Sequence, residues 1–412
     1  MDGKENFVNF KQTGVYMKLA FPQLILSSLL LLPFAASSAS LDIKGKSYTV
    51  NIPEGTGIEI LNTEMQGPRF MAFAQNGDLL VGSKAGIVYR LKAPYQKAEE
   101  AIRFGGYPHS VAFRQTAAGE EIWLAETNGL YRALYQPGRF YTKSDFTLVE
   151  TLPGGGGHNS RTVGVGPDHH IYVALGITGN CSDEYLSSSY PFNKRRGGIM
   201  VLDESGAKPV LKPFGNGLRN PVGFDWDPAT GVLYASNNGP DHLGFDEPKE
   251  VFVAVEEGDF FGMPWFQTVQ GKITRDNCIS SAPPRPMEEV KSPAAFLPAR
   301  SAPMAVAFPR AKDFNGRFAG QAFVAVHGSW GTPPSGTALG DAAGRREPRI
   351  VTITLGSTAA ASAAENLVFG FQDLNTGNRW ARPVGLAFGP DGALYFTSDA
   401  GNQGLFRLKL IP

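Results

Sequence analysis

"RPVGLAFGPDGALYFTSDAGNQGLFRL", residues 382–408, decides how this chain folds. A polar residue and a proline lead into the apolar run Val384–Phe388, and Pro390, Asp391 and Gly392 supply a tight turn. A second apolar run follows, then a second turn, then a third run ending at Leu408. Apolar residues alternating at a period of two around an Asp-Gly turn are the signature of a β-hairpin. The same order returns upstream in "RFMAFAQNGDLLVGSKAGIVYRL" from Arg69, "HSVAFRQTAAGEEIWLAETNGLYRAL" from His109, "RTVGVGPDHHIYVALG" from Arg161 and "NPVGFDWDPATGVLYASNNG" from Asn220. A less regular copy, "APMAVAFPRAKDFNGRFAGQAFVAVHGSW", starts at Ala302. Six copies of one unit point to an all-β fold, a six-bladed β-propeller over residues 41–412 with one sheet per blade. A two-sheet sandwich is the alternative, but it does not call for the repetition. The segment "SYTVNIP", residues 47–53, is expected to help close the ring on the last blade.

Composition agrees with many short strands. Gly 49 and Pro 30 are high, yet 42% of the 412 residues are hydrophobic, too apolar for disorder. A formal charge of +0, from 38 basic and 38 acidic residues, gives no global field toward nucleic acid or anionic lipid. Upstream, "MKLAFPQLILSSLLLLPFAASSAS" has a lysine, an apolar stretch and small residues at its end. It reads as a signal peptide over residues 1–40, cleaved after Ala39, with Met17 a candidate true start. Pro22, Pro33 and the serines leave too short a run for a membrane anchor, so a periplasmic or secreted protein without stable membrane insertion is expected. In that setting Cys181 and Cys278 either form a disulfide or stay as two isolated thiols.

Superimposing the copies yields a column. The residue two before the Val or Met of each first strand is Arg69, His109, Arg161, Asn220, Ala302 or Arg382. In a propeller the innermost strands line one channel, so these residues are expected to meet at one mouth. His158, Arg219, Arg300 and Arg379 lie just upstream of column members. Guanidinium groups that share an opening repel one another unless an anion sits among them, which suits a small polyanionic ligand. Each member taken alone reads more simply as a solvated surface residue, and only the repetition argues otherwise.

Three segments carry candidate chemistry. His158 follows four glycines in "PGGGGHNSRTVGVGPD"; polyglycine lets backbone approach a ligand, and His is the usual base near neutral pH. "SNNGPDHLGFDEPKE", residues 236–250, offers carboxylates and free carbonyls that suit Ca2+, though a solvated acidic turn explains it equally. "VHGSW" places His327 and Trp330 at a strand end, where the indole either covers a planar ligand or packs between blades.

The stretches "GGGGHNSRTVGVGPDHHIYVALG", "GNGLRNPVGFDWDPATGVLYASNNGPD", "GDFFGMPW", "VHGSW" and "RPVGLAFGPDGALYFTSD" resemble the soluble quinoprotein sugar dehydrogenases. This is the glucose/sorbosone dehydrogenase family, and the sorbosone dehydrogenase-like members are most similar. The resemblance implies a propeller that binds pyrroloquinoline quinone (PQQ) and Ca2+ at the channel mouth. It implies oxidation of an aldose or sugar aldehyde, with His158 as catalytic base. Arg161, Arg219, Asn220, Trp330 and Arg382 would then contact the cofactor, and the Gly239 and Pro240 carbonyls would hold the metal. No haem-attachment motif is present, so electrons would pass to an external acceptor such as a quinone or small cytochrome.

The chain departs from the family in three places. Ile177 stands where quinoprotein glucose dehydrogenases have an acidic residue supporting the base, so His158 must be oriented from elsewhere. "SWGTPP", with Gly331, replaces the common "SWNR", and Arg300 in "RSAP" stands where relatives often have His. Two other readings remain from the residues: a calcium-dependent lactonase, and a non-catalytic carbohydrate- or protein-binding propeller. Substrate choice is expected to lie in the insertions near residues 180–196 and 265–300.

Overall fold

The computed structural model describes residues 36–329, 346–356 and 362–411. It is all-β; its helices are short 3-10 turns such as Asp313–Gly316. The hairpin units appear where the repeat places them. Each opens on a strand that packs against its counterpart in the next unit, in the order Pro68–Phe73, Ser110–Thr116, Arg161–Val165, Gly223–Trp226, Pro303–Ala307 and Ala381–Phe388. The last returns to the first, so the ring closes and the arrangement is propeller-like.

Behind each ring strand an antiparallel meander runs outward, as in Ser110–Thr116, Gly119–Glu126, Gly129–Leu134 and Thr147–Thr151. Second strands are sandwiched between neighbours, which explains their near-continuous apolar character; every residue of Gln321–Val326 is buried. The meanders starting at Gly223 and Pro303 merge into one 10-stranded sheet, because Ala295–Leu297 pairs in parallel with Ser362–Phe369.

Side-chain hydroxyls tie each unit to the next around the channel. Ser110 Oγ donates to the Arg161 carbonyl (2.8 Å), Ser236 Oγ to Met304 (2.6 Å) and Thr397 Oγ1 to Arg69 (2.6 Å). Thr162 Oγ1 donates likewise to Val222. Gly223 is where adjacent strands press together: a Cβ there would fall 2.1 Å from the Met304 carbonyl oxygen.

One expectation needs correction. The strand that closes the last unit is Thr56–Asn62, antiparallel to Gly404–Leu410, and not residues 47–53. The latter lie in Lys46–Pro53, which pairs with Ala36–Ile43 and reaches the sheet only at Asn51 opposite Phe369. Both segments alternate, and alternation alone does not choose the partner edge. The expected signal segment lies outside the described residues up to residue 35; its last residues begin strand Ala36–Ile43. Among the described residues no helix is long and apolar enough to cross a membrane.

Candidate active site

The column converges, and its contacts run in a closed circuit. Arg69 Nε donates to His109 Nδ1 (3.3 Å), and Ser110, beside His109, holds the Arg161 carbonyl. The Arg161 guanidinium holds the His158 carbonyl (2.8 Å). Gly176 lies between His158 and Asn220; a Cβ there would fall 2.6 Å from the His158 Cβ and 2.5 Å from Asn220 Oδ1. Asn238 Nδ2 donates to Pro303 O (2.9 Å), and the His327 amide to Ala302 O (3.0 Å). Arg382 Nη2 donates to Gly328 O (2.6 Å), and Asp399 joins His327 to Arg69, each at 2.6 Å.

One ring nitrogen of His158 is anchored to the main chain. Its Nδ1 meets the Ile177 carbonyl at 2.6 Å. A carbonyl only accepts, so Nδ1 carries the proton, and the Nε2 lone pair meets no partner among the described residues. The orientation that the Ile177 substitution left unexplained therefore comes from the main chain of Ile177 itself. Burial, then the Arg219 charge, pushes the His158 pKa down to about 4, which keeps the ring neutral.

The arginines divide. Asn220 is half-buried, and its side-chain amide makes no hydrogen bond among the described residues, so it is open to a ligand. Arg219, 5% exposed, donates to Asn180 O (2.8 Å), Asn180 Oδ1 (2.9 Å) and Asn238 O (3.3 Å). Arg382 is half-buried and grips the His327 and Gly328 carbonyls. Arg161 is 0% exposed: Nη1 donates to the His158 and Ser160 carbonyls and Nη2 to that of Pro153, while buried Nε has no hydrogen-bond partner among the described residues. It braces the His158 loop through these carbonyls; burial, then Arg196, lowers its pKa to about 9.

Part of the positive charge of the column is compensated within the protein. The protein supplies its own counter-charge, Asp399, whose side chain is 0% exposed against Arg69, Lys84 and His327. Burial works against this carboxylate, but the His327 hydrogen bond and the Arg69 and Lys84 charges outweigh it and hold its pKa well below the usual range. His327 Nε2 donates to Asp399, so this imidazole too has its second nitrogen unprotonated, and burial pushes its pKa down to about 4.

The Gly239–Pro240 turn offers hard oxygen donors. The flanking carbonyls of Asn238 and Asp241 are taken by Arg219 and Arg300 (2.7 Å). Between them, the Gly239 and Pro240 carbonyls accept no hydrogen bond among the described residues. Adjacent uncommitted carbonyls fit a Ca2+ ion. Behind the turn, buried Glu250 accepts the amide protons of Gly239 (2.5 Å) and Ala302 (3.3 Å). Burial raises its pKa to about 7 against the pull of those amides and Arg219. It is not the solvated acid its loop suggested.

These shifts fix a pH response. His158 and His327, held near 4, and His109, held well below its ordinary value by burial and then Arg69, bind fewer protons folded than unfolded. Stability is then lost as pH falls from about 6.5 toward 4. Glu250 opposes with one carboxyl, protonated in the fold up to about 7, so the imidazoles prevail. We expect Tm to fall steadily between pH 6.5 and 4.5 in thermal unfolding; a flat Tm would show that these rings are protonated in the fold.

The TrAA12-like family profile matches residues 50–252 and 264–408. The chain belongs to the TrAA12-like family. This bears out the resemblance read from the sequence. Similar structures include a family AA12 carbohydrate-active enzyme of Trichoderma reesei in its iodide form, 20% identical over 87% of this chain and 97% of that one, TM-score 0.71. The holo PQQ domain of pyranose dehydrogenase from Coprinopsis cinerea is 20% identical over 88% and 97%, TM-score 0.66. PQQ-bound aldose sugar dehydrogenase of Streptomyces coelicolor is 19% identical over 87% and 99%, TM-score 0.60. A Borreliella burgdorferi protein described as uncharacterized is 24% identical over 90% of this chain and 93% of its own length.

In this TrAA12-like protein Trp330 and Gly331 lie outside the described residues. Cys181 and Cys278 form a disulfide with Cα atoms 6.2 Å apart. The sequence reading missed Asn180 and Asp399, which carry no local motif. Asp399 had one available signal, its place at the end of the last repeat's second strand beside the column.

Proposed function

We propose that this protein is a six-bladed quinoprotein sugar dehydrogenase. It uses PQQ and Ca2+ to oxidise an aldose or sugar aldehyde, outside the cytoplasm, and hands electrons to a quinone or small cytochrome. One observation carries the reading: an oriented neutral imidazole, His158, shares a mouth with an open amide, Asn220, and a free carbonyl pair, Gly239 and Pro240. When bound, PQQ would supply a two-electron acceptor that Ca2+ polarises. The Gly239 and Pro240 carbonyls would hold the metal. Asn220 would offer its amide to the cofactor, and Arg219 and Arg382 would present positive charge to its carboxylates. His158 Nε2 accepts the proton of the sugar hydroxyl as that carbon is oxidised.

The orientation of His327 by Asp399 favours a second reading, in which His327 is the base. A calcium lactonase is disfavoured because Glu250 and Asp399, two buried carboxylates of this mouth, are both committed within the protein. A binding-only propeller gives no reason for two oriented neutral imidazoles.

Reconstitution tests the reading. Apo-protein mixed with PQQ and Ca2+ is expected to reduce a dye in the presence of aldoses or sugar aldehydes. EDTA added before the cofactor is expected to prevent this. Absence of PQQ binding would sink the proposal.

A further inference from the structure

The segment from Gly176 to Cys181 reaches the candidate site at nearly every residue. Ile177 holds His158 through its carbonyl, and its own amide donates to the Arg219 carbonyl (2.8 Å). The Thr178 carbonyl accepts the Gly157 amide (2.6 Å), fixing the glycine run before His158. Asn180 then grips Arg219 along one edge of its guanidinium, with the main-chain oxygen on Nε and Oδ1 on Nη2. A planar fork held by two oxygens of one residue has little freedom to turn. The same Oδ1 accepts the Asp241 amide at 2.9 Å, directly after the Gly239–Pro240 pair. One side-chain oxygen thus joins the cation to the turn that offers the free carbonyls.

Asn180 is itself fixed from the next position. Cys181 is bonded to Cys278, whose amide donates to Asp276 Oδ1 (3.0 Å). That oxygen also meets His242 Nε2 (3.0 Å), and His242 Nδ1 faces Asn180 Nδ2 (3.3 Å). Without the Asn180 side chain, Nη2 and the Asp241 amide both lose their acceptor. Asp241 Oδ2, 4.0 Å from Arg219 Nη2, would then draw the guanidinium away.

We propose that Asn180 is a positioning residue that holds the Arg219 guanidinium and the Gly239–Pro240 turn in one frame, with the Cys181–Cys278 bond keeping it in place. The consequence for cofactor affinity rests on the function proposed above; the frame itself does not.

Both are tested on folded protein, with thermal unfolding as the check on each variant. In the apo-protein, amide hydrogen exchange at Asp241 is expected to quicken at least about tenfold in Asn180→Ala, since that bond is lost. Asn180→Asp keeps both acceptor oxygens and is expected to restore protection. The double variant Cys181→Ser/Cys278→Ser is expected to quicken exchange at the same site. Unchanged exchange in Asn180→Ala would overturn the proposal.

PQQ titration at saturating Ca2+, followed by tryptophan fluorescence, reads the consequence. Asn180→Ala is expected to weaken binding about tenfold in the wild type and much less in an Arg219→Ala background, because the two residues act through one contact. An equal loss in both backgrounds would overturn the link to Arg219. If Arg219→Ala alone leaves PQQ affinity intact, the cofactor assignment of Arg219 fails, while the exchange result still decides the frame.

Discussion

His158→Gln is expected to lower kcat by about a hundredfold to ten-thousandfold while leaving the Kd for PQQ near its wild-type value. Gln is close to His in size, and its amide can still donate to the Ile177 carbonyl, so the loop from the glycine run to Arg161 keeps its support. It lacks a lone pair able to take a proton near neutral pH. The pH profile adds a second readout: with a base of pKa about 4, kcat/KM of the wild type should stay level from neutrality down to about pH 5 and fall below it. His327→Gln is the decisive comparison, because that ring too is oriented through one nitrogen, by Asp399. Loss of turnover in His327→Gln with retention in His158→Gln would move the base to His327.

Asp399→Ala is expected to carry the largest stability cost, about 3–5 kcal/mol in urea unfolding. The carboxylate is fully buried and faces three partners. Lys84, with its side chain 51% exposed, can turn to water when the carboxylate goes. Arg69, 5% exposed and enclosed by His109 and Tyr107, cannot, and a buried unpaired charge is what makes such a deletion expensive. Asp399→Leu combined with Arg69→Met removes both charges and is expected to recover much of the loss. A cost below about 1 kcal/mol for Asp399→Ala would mean that water reaches this cluster and screens it.

The repeat, the order of hairpins along the chain and the start of each ring strand were legible in the sequence. They follow from alternation and turn chemistry, which are local properties of the backbone. So was the convergence of Arg69, His109, Arg161, Asn220 and Arg382, since equivalent positions in a closed ring must meet. The Gly239–Pro240 turn was legible as a cation candidate because carbonyl donors follow from a turn that leaves them unpaired.

Which of those residues are buried and paired within the protein was decided only by the tertiary structure. Arg69 and Asp399 lie 330 positions apart, and only ring closure makes them a pair that silences the cation. Arg161 matches its column neighbours in type, yet it is fully buried with its Nη groups on the carbonyls of Pro153 and His158. Thr56–Asn62 and residues 47–53 alternate alike, and the free edge of Gly404–Leu410 selected the former. Hydrophobic period is written along the chain; burial, charge compensation and strand partner depend on what distant segments bring to the same point.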